Sequence, residues 1–266
     1  MARVLMAAVH EQISSKNLGA TLPAPVAAPA EWPVLRRALV ETASARYRSG
    51  GRFAYHFARG KLTGDPVFRA LLEHGWLRGC RRILDLGCGQ GLLAAWLRAA
   101  LHWRELGLWP AGWPAPPAPE SICGIEVSAA EVARARRALG AECEVLQGDI
   151  RLSPLGNADG VVILDVLHYL PAPAQREVLE RVRAAMPQGG ALLVRVADAD
   201  GGARFRLTRG IDRMVLLARG HGLARLTCHS VAEWRALLRG CGFEARAAPM
   251  SAGTPFANVL LLARPL

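Results

Sequence analysis

A glycine-rich turn between a hydrophobic strand and a helix is the feature that most constrains the fold of this chain. Residues 83–93 read ILDLGCGQGLL: an apolar strand, three alternate glycines and the start of a helix. Glycine lets the backbone turn tightly and approach a ligand without a Cβ, and the helix presents unpaired amides at its N-terminus. The spacing is G-x-G-x-G, whereas a dinucleotide site needs its third glycine one residue later, at Leu92.

Apolar runs of strand length recur from residue 82 onward, and amphipathic segments separate most of them. Near-continuous apolar strands alternating with helices favour a parallel sheet that is covered on both faces. Only about nine residues separate the last two runs, too few for a crossover helix, so these two are expected to pair antiparallel. The predicted strands cover residues 82–86, 122–127, 143–147, 160–167, 191–196, 243–248 and 258–263.

Start and stop signals mark several of the intervening helices. Residues 128–131 and 230–233 both read Ser-x-x-Glu, the spacing of a capping box, and they predict helices that end at Gly140 and Gly240. A third helix is expected after Pro171, where apolar residues repeat at helical spacing.

Composition divides the chain into three parts. Residues 1–33 are rich in alanine and proline and are expected to form an extended leader. Residues 34–79 read as an N-terminal helical lid segment, and residues 80–266 as the main domain. A Trp- and Pro-rich insertion at 103–120 interrupts that domain, and its sequence leaves open whether it is a lid or a variable decoration.

The charge balance invites a nucleic-acid interpretation, because the formal net charge is +11 and the pI is about 10.4. The basic residues are dispersed, however, and only Lys16 and Lys61 are lysines. We therefore expect solvated arginines and no specific nucleic-acid partner.

The six cysteines contain no CxxC pair, which argues against a disulfide scaffold or a cysteine-rich zinc site. No membrane span or signal peptide is evident, so a cytoplasmic location is expected.

A second acid, Glu126, follows the second predicted strand in the segment CGIEVS. A carboxylate at that position can accept both hydroxyls of a ribose. With this acid the chain resembles the class I S-adenosylmethionine (SAM)-dependent methyltransferases over residues 80–266. DLGCGQG, GIEVS, QGDIR and ADGVVILDVLHYLP look like the first four motifs of that family and occur in the same order.

The resemblance implies a Rossmann-like α/β fold with a seven-stranded, mostly parallel sheet, an antiparallel last strand and helices on both faces. It also implies SAM as cofactor and S-adenosylhomocysteine as product. The first motif would hold the methionine portion, Glu126 the ribose, and Asp149 with Ile150 the adenine. The full set of cofactor-binding residues predicted in this way is Asp85, Gly87, Cys88, Gly89, Gly91, Glu126, Val127, Asp149, Ile150 and Asp165.

Two further segments, 47–68 and 249–263, look like parts of bacterial methyltransferases from aryl polyene pigment loci. That resemblance implies a phenolic or acyl-carrier-bound aromatic acceptor.

Methyl transfer to an acidic oxygen benefits from a nearby base, and histidine titrates near working pH. His168, with Tyr169 beside it, follows the fourth strand and is predicted to lie near the reacting methyl group. His56, within the aromatic lid segment, is the second candidate. The alternative for His168 is a wall of the pocket, and for His56 a polar position on a packed helix.

These observations predict a SAM-dependent methyltransferase that acts on a small-molecule oxygen, with no metal. The alternatives are an RNA or protein methyltransferase, or a SAM-binding protein without methyl transfer. The acceptor and the oligomeric state stay open.

Overall fold

A seven-stranded sheet forms the centre of the molecule, and helices pack on both of its faces. The computed structural model describes residues 32–218 and 226–266. The strands are β1 (Arg82–Leu86), β2 (Ser121–Glu126), β3 (Glu144–Gln147), β4 (Gly160–Leu164), β5 (Ala191–Ala197), β6 (Phe243–Pro249) and β7 (Asn258–Pro265). The helices are α1 (Trp32–Ala45), α2 (Arg52–Gly64), α3 (Pro66–Glu73), α4 (Leu92–Glu105), α5 (Ala129–Leu139), α6 (Ala172–Ala185), α7 (Gly202–Ala218) and α8 (Val231–Gly240).

The strand order is β3-β2-β1-β4-β5-β7-β6. The first five strands pair in parallel, and β7 runs antiparallel to both β5 and β6. The predicted α/β sheet, including the antiparallel hairpin at its end, is therefore confirmed. In this order, β1 and β4 are adjacent at the centre, so the residues that follow them meet at one edge.

The fourth strand is shorter than predicted, because β4 ends at Leu164 and not at residue 167. Asp165 has a φ of 60°, a left-handed conformation that a continuing strand cannot contain. Residues Leu167–Tyr169 then form a short 3₁₀ helix. The apolar run continues through this turn because Leu167 is buried and Val166 packs against the same core.

One of the two predicted capping boxes is complete. At the start of α8, Ser230 and Glu233 hydrogen-bond each other's backbone amides. At the start of α5, Ser128 accepts from the amide of Glu131, but the Glu131 carboxylate pairs with Arg134 at 2.6 Å and leaves the box half formed.

Two apolar cores lie on opposite faces of the sheet. One contains α6 and α8 with residues such as Trp234 and Phe243. The other contains α4 and α5 together with the N-terminal helices α1–α3 and the 3₁₀ turn Arg46–Gly50 between α1 and α2. Leu39, Tyr47 and Leu71 of this N-terminal segment are fully buried. The N-terminal helices are thus part of the main core, and opening of this segment as a lid stays a prediction.

The Trp- and Pro-rich insertion begins inside α4 and continues as a loop. Trp113 is buried and its ring lies 4.7 Å from that of Trp32 at the start of α1. The Trp109 indole donates to the Pro114 carbonyl at 3.0 Å. The insertion therefore packs against the first N-terminal helix. Most of the predicted leader, residues 1–31, lies outside the described residues.

Candidate active site

The glycine turn joins β1 to α4 in a conformation that needs glycine. Gly87, Gly89 and Gly91 have φ values of 76°, 54° and 80°. A Cβ on Gly87 would lie 2.3 Å from Val166, and one on Gly91 would lie 2.5 Å from Leu139, whereas one on Gly89 would meet open space. The outer two glycines are therefore required by neighbouring side chains, and the middle one faces open space at the carboxyl edge of the sheet.

Glu126 at the end of β2 is bound directly to this turn. Its Oε2 accepts from the Gly89 amide at 3.0 Å, and its Oε1 accepts from the Ser128 amide at 2.9 Å. The side chain is buried. The structure thus brings together the turn and the second acid, which lie far apart in the sequence. Contact of Glu126 with a ribose stays a prediction.

Asp85, the acidic residue of β1, is buried beside Glu126. Burial, with a smaller contribution from the negative charge of Glu126, raises the pKa of Asp85 from 3.8 to about 7. Among residues 32–218 and 226–266, no lysine, arginine or histidine forms an ion pair with either carboxylate. This pair of acids is arranged to accept a cation or a hydrogen-bond donor from a ligand.

Cys88 and Val127 differ in their surroundings. The Cys88 sulfur would lie 2.6 Å from a Cβ on Gly124, so its side chain packs onto β2, and burial raises the pKa of its thiol. Val127 follows Glu126 directly and is 58% exposed. An exposed apolar residue beside Glu126 is suited to contact a flat ligand surface, whereas Cys88 contributes only its backbone to the turn.

Asp149 and Ile150 follow β3 at the same edge. The Asp149 carboxylate accepts from the Arg151 guanidinium at 2.9 Å and from the Arg151 amide at 2.9 Å. These hydrogen bonds lower the pKa of Asp149, against the effect of its partial burial. The Ile150 side chain is buried in the core that contains α6, and its carbonyl accepts from Arg181 at 2.7 Å. Their predicted contact with adenine remains untested.

Asp165, at the end of β4, is held by cations. Its Oδ1 accepts from Arg195 Nε at 2.8 Å, its Oδ2 accepts from the same guanidinium, and Lys61 lies 3.6 Å away. Burial would raise the pKa of Asp165, but the charges of Arg195 and Lys61 outweigh it and lower that pKa to about 2. Because its carboxylate is already paired, any contact with a cofactor would come mainly from its backbone.

His168 and Tyr169 lie in the 3₁₀ helix after β4, on the predicted edge. Their ring centroids are 4.1 Å apart, and His168 is 3% exposed. The His168 carbonyl accepts from the Thr227 amide at 2.9 Å. The structure brings His168 close to Asp165 and shields it from solvent.

His56 lies on the exposed face of α2, beside Tyr55 at a ring distance of 5.2 Å. The opposite face of the same helix contacts the glycine turn, because Gln90 Nε2 donates to the Ala54 carbonyl at 3.1 Å. His56 is therefore on the outer side of the helix that covers the turn.

Several residues at this edge were not singled out from the sequence. Tyr47 donates its hydroxyl to the Gln90 carbonyl at 2.9 Å, which attaches the N-terminal helices to the turn. Asp65, Lys61 and Arg195 form a network with Asp165. The sequence could have predicted an ion pair for Arg195, because a lone arginine within the apolar strand ALLVRV is expected to be buried with an acidic partner.

Known proteins with related sequences match the part of the chain that contains this edge. Residues 84–192 match a family model described as a methyltransferase domain. A carboxy-S-adenosyl-L-methionine synthase from Chromohalobacter salexigens is 32% identical over 129 residues, which are 47% of this chain and 43% of that protein. The N,N-dimethyltransferase OxyT from Streptomyces rimosus is 39% identical over 103 residues, 38% of this chain and 28% of that protein. The chain thus spans less than half the length of these relatives.

Solved structures share the fold over a longer stretch. The mitomycin 7-O-methyltransferase MmcR has a TM-score of 0.56 and 23% identity, covering 88% of this chain and 67% of that one. An O-methyltransferase family protein from Burkholderia thailandensis has the same TM-score with 19% identity and the same coverage of both chains. An alignment that covers 88% of this chain extends beyond residues 80–266, so it includes part of the N-terminal helices.

Proposed function

We propose that this chain, which carries a class I SAM-dependent methyltransferase domain, transfers the methyl group of SAM to an oxygen of a small-molecule acceptor. The observation that supports this best is the bond between Glu126 and the Gly89 amide, which joins a strand-end acid to a glycine turn at one edge of the sheet. Bound SAM would supply an electrophilic methyl group on a positively charged sulfur.

The residues present fit such a cofactor. The chain has a net charge of +11, yet Asp85 and Glu126 are buried together at this edge without an ion-pair partner among the described residues. A ligand with cationic groups would compensate these carboxylates. The open space over Gly89 and the exposed Val127 offer the room and the apolar surface that an adenosyl group needs.

The protein residues would mainly align the two reactants and exclude water, because displacement at a methyl group requires an in-line approach. In the proposed reaction a bond forms between the acceptor oxygen and the methyl carbon, and the carbon–sulfur bond breaks with its electron pair on sulfur. His168 would take the proton of the acceptor hydroxyl. Its burial beside Asp165 supports a site from which water is excluded.

The acceptor class that we propose is a phenol, free or bound to a carrier, in bacterial secondary metabolism. MmcR is named as a 7-O-methyltransferase of mitomycin, which supports an oxygen acceptor on a small molecule, whereas OxyT is named as an N,N-dimethyltransferase. The cytoplasmic location and the domain boundaries 1–33, 34–79 and 80–266 also remain proposals. Among the described residues, no helix is long and apolar enough to cross a membrane.

The decisive experiment incubates the full chain with methyl-labelled SAM and a panel of phenols and carrier-bound aromatic acids. Mass spectrometry should detect S-adenosylhomocysteine and a product that is heavier than one acceptor by one labelled methyl group in place of the hydroxyl hydrogen. RNA and a protein mixture serve as the alternative acceptors, and label transfer to either in place of the phenols would replace our proposal.

The role of His168 has its own test. His168→Ala should lower kcat by about 10²-fold while SAM affinity stays nearly unchanged, and the loss should shrink at high pH, where a phenol ionises unaided. His102→Ala, an exposed histidine on α4, is the matched control and should have normal turnover. Near-normal turnover of His168→Ala at neutral pH would identify His168 as a pocket wall.

A second candidate follows from the relative from Chromohalobacter salexigens, whose name describes synthesis of a carboxylated SAM. That reaction needs a carboxyl donor, so a parallel incubation adds a carboxylic acid to serve as that donor. Mass spectra then distinguish the two reactions, because the second would give SAM with an added carboxyl group in place of a methylated acceptor.

A further inference from the structure

Arg195 is a buried arginine within the apolar strand β5. Its side chain is 1% exposed, and its neighbours Val194 and Val196 are equally buried in the core that contains α6. A guanidinium at such a position must have all its charge compensated by the protein. It is compensated by Asp165 and Asp65, two carboxylates from different parts of the chain.

Arg195 holds Asp165 through three hydrogen bonds. The Arg195 carbonyl accepts from the Asp165 amide at 3.2 Å, and the guanidinium donates through Nε and Nη2 to the two carboxylate oxygens. Asp165 is the one non-glycine residue with positive φ in the described part of the chain. Aspartate adopts this conformation more readily than most residues with a Cβ, and here the Arg195 guanidinium fixes its side chain while the Arg195 main-chain carbonyl binds its amide.

The left-handed turn at Asp165 directs Val166 onto the glycine turn. A Cβ on Gly87 would be 2.3, 3.1 and 3.3 Å from three atoms of the Val166 side chain, so Val166 lies directly over the α-carbon of Gly87. An extended residue at 165 would continue β4 and carry Val166 away from this contact. The 3₁₀ helix with His168 begins immediately afterwards.

The other arm of Arg195 reaches the N-terminal helices. Its Nη1 donates to Asp65 Oδ1 at 2.5 Å, and the same oxygen accepts from the Val67 amide at 3.0 Å as the N-cap of α3. Lys61 on α2 closes the network, at 2.9 Å from Asp65 and 3.6 Å from Asp165. One buried side chain therefore joins the helices over the turn to the segment beyond β4.

We infer that Arg195 is a positioning residue for the cofactor site: it holds Asp165 in the left-handed conformation that places Val166 against the glycine turn. The inference rests on the proposed function, because it takes the glycine turn as part of a SAM site. Arg195 itself would touch neither cofactor nor acceptor.

The test compares two double variants that remove the same charges. Arg195→Met is combined with Asp165→Gly in one and with Asp165→Ala in the other. Both lack the guanidinium and the Asp165 carboxylate, but only glycine adopts positive φ without strain. Calorimetry with S-adenosylhomocysteine gives the dissociation constant of each, and thermal melting shows whether the two are equally stable.

We expect Arg195→Met alone to weaken S-adenosylhomocysteine binding by about tenfold or more, and the glycine double variant to bind about tenfold more tightly than the alanine one. Equal affinities of the two double variants would overturn the inference, since charge compensation alone would then explain Arg195. Should Arg195→Met not fold, the two double variants still decide, because neither leaves the Asp165 carboxylate unpaired.

Arg239→Met is the matched control. Arg239 forms a surface pair with Glu244 at 2.9 Å and is 67% exposed, so the same substitution there should leave affinity unchanged. The outcome is separable from that of the proposed function, because the affinity series needs no acceptor. If the wild-type chain binds S-adenosylhomocysteine but methylates nothing, the methyl transfer proposal fails while the series still tests Arg195.

Discussion

Two groups of acids lie at the same edge of the sheet, and the pKa of Asp85 in one group is shifted in the opposite direction from the pKa values of Asp65 and Asp165 in the other. Asp85 and Glu126 have no ion-pair partner among the described residues, and the pKa of Asp85 rises to about 7. Asp65 and Asp165 pair with Arg195 and Lys61, and the pKa of Asp165 falls to about 2. Burial alone therefore does not set the charge of a carboxylate, because a cation within contact distance reverses the shift of its pKa.

The two groups also differ in what they can do. The paired acids have their charge compensated within the protein and tie the N-terminal helices to the sheet. The unpaired acids keep a demand for positive charge or hydrogen-bond donors that a ligand can meet. One half of the edge is thus compensated by the protein's own cations, and the other half is the part that we propose binds the cofactor.

The largest expected effect comes from breaking the paired group. Arg195→Met leaves two carboxylates with only Lys61, and loss of one partner from a buried ion pair costs about 3 kcal/mol or more. Urea unfolding should show this decrease in the free energy of unfolding. The same substitution at Arg239 should change it by less than about 0.5 kcal/mol. A small effect at Arg195 would mean that the network is no more than a surface-like pair.

The next effect concerns the unpaired group and appears in binding. Glu126→Ala should weaken SAM binding by about 2 kcal/mol, the size of a charge-assisted hydrogen bond to a ligand. Calorimetry measures it, and Glu126→Gln separates charge from hydrogen bonding. Glu131→Ala, whose carboxylate pairs with Arg134 on α5, is a matched control with no expected change. Unchanged affinity in Glu126→Ala would remove the predicted ribose contact.

A third prediction uses the pKa of Asp85. SAM carries cationic groups, so it should bind the ionised form better, and its affinity should rise about tenfold between pH 6 and pH 8. Binding near pH 6 should release a proton, which calorimetry detects as a dependence of the heat on the buffer. In Asp85→Asn this dependence should disappear. If it persists, another group is responsible.

The same shifts give opposite effects on stability. The folded chain keeps the Asp85 proton that the unfolded chain loses above about pH 4, so this residue makes the free energy of unfolding fall as pH rises from 4 to 7. The lowered pKa of Asp165 contributes stability above pH 4, and that contribution is lost as pH falls towards 2.

The smallest effect is expected for Lys61→Met. Lys61 is 37% exposed, and both of its carboxylate partners also bind Arg195. Its removal should cost about 0.5 kcal/mol in unfolding by urea, and high salt should reduce the difference further. A cost near that of Arg195→Met would show that the two cations act as one unit and that the network has no dominant member.

Local sequence patterns were sufficient to predict much of this molecule. The alternation of apolar runs and capped helices predicts the seven-stranded sheet, and the nine-residue gap before β7 predicts its antiparallel end. The G-x-G-x-G turn and Glu126 could be predicted to lie together because each follows a strand, and the C-terminal ends of parallel strands meet at one edge of the sheet. These predictions depend on hydrophobic periods and on backbone geometry, which neighbouring residues determine.

The tertiary structure alone decided which of the acids would be compensated. Asp65 and Arg195 are 130 residues apart, and Lys61 reaches Asp165 only because α2 lies over the carboxyl edge. It also decided that β4 stops at Asp165, since the bonds from Arg195 outweigh the apolar run that continues through residue 167. Ion pairs and strained backbone conformations depend on which residues, far apart in the sequence, come into contact in the low-dielectric interior. Local sequence patterns do not specify those contacts.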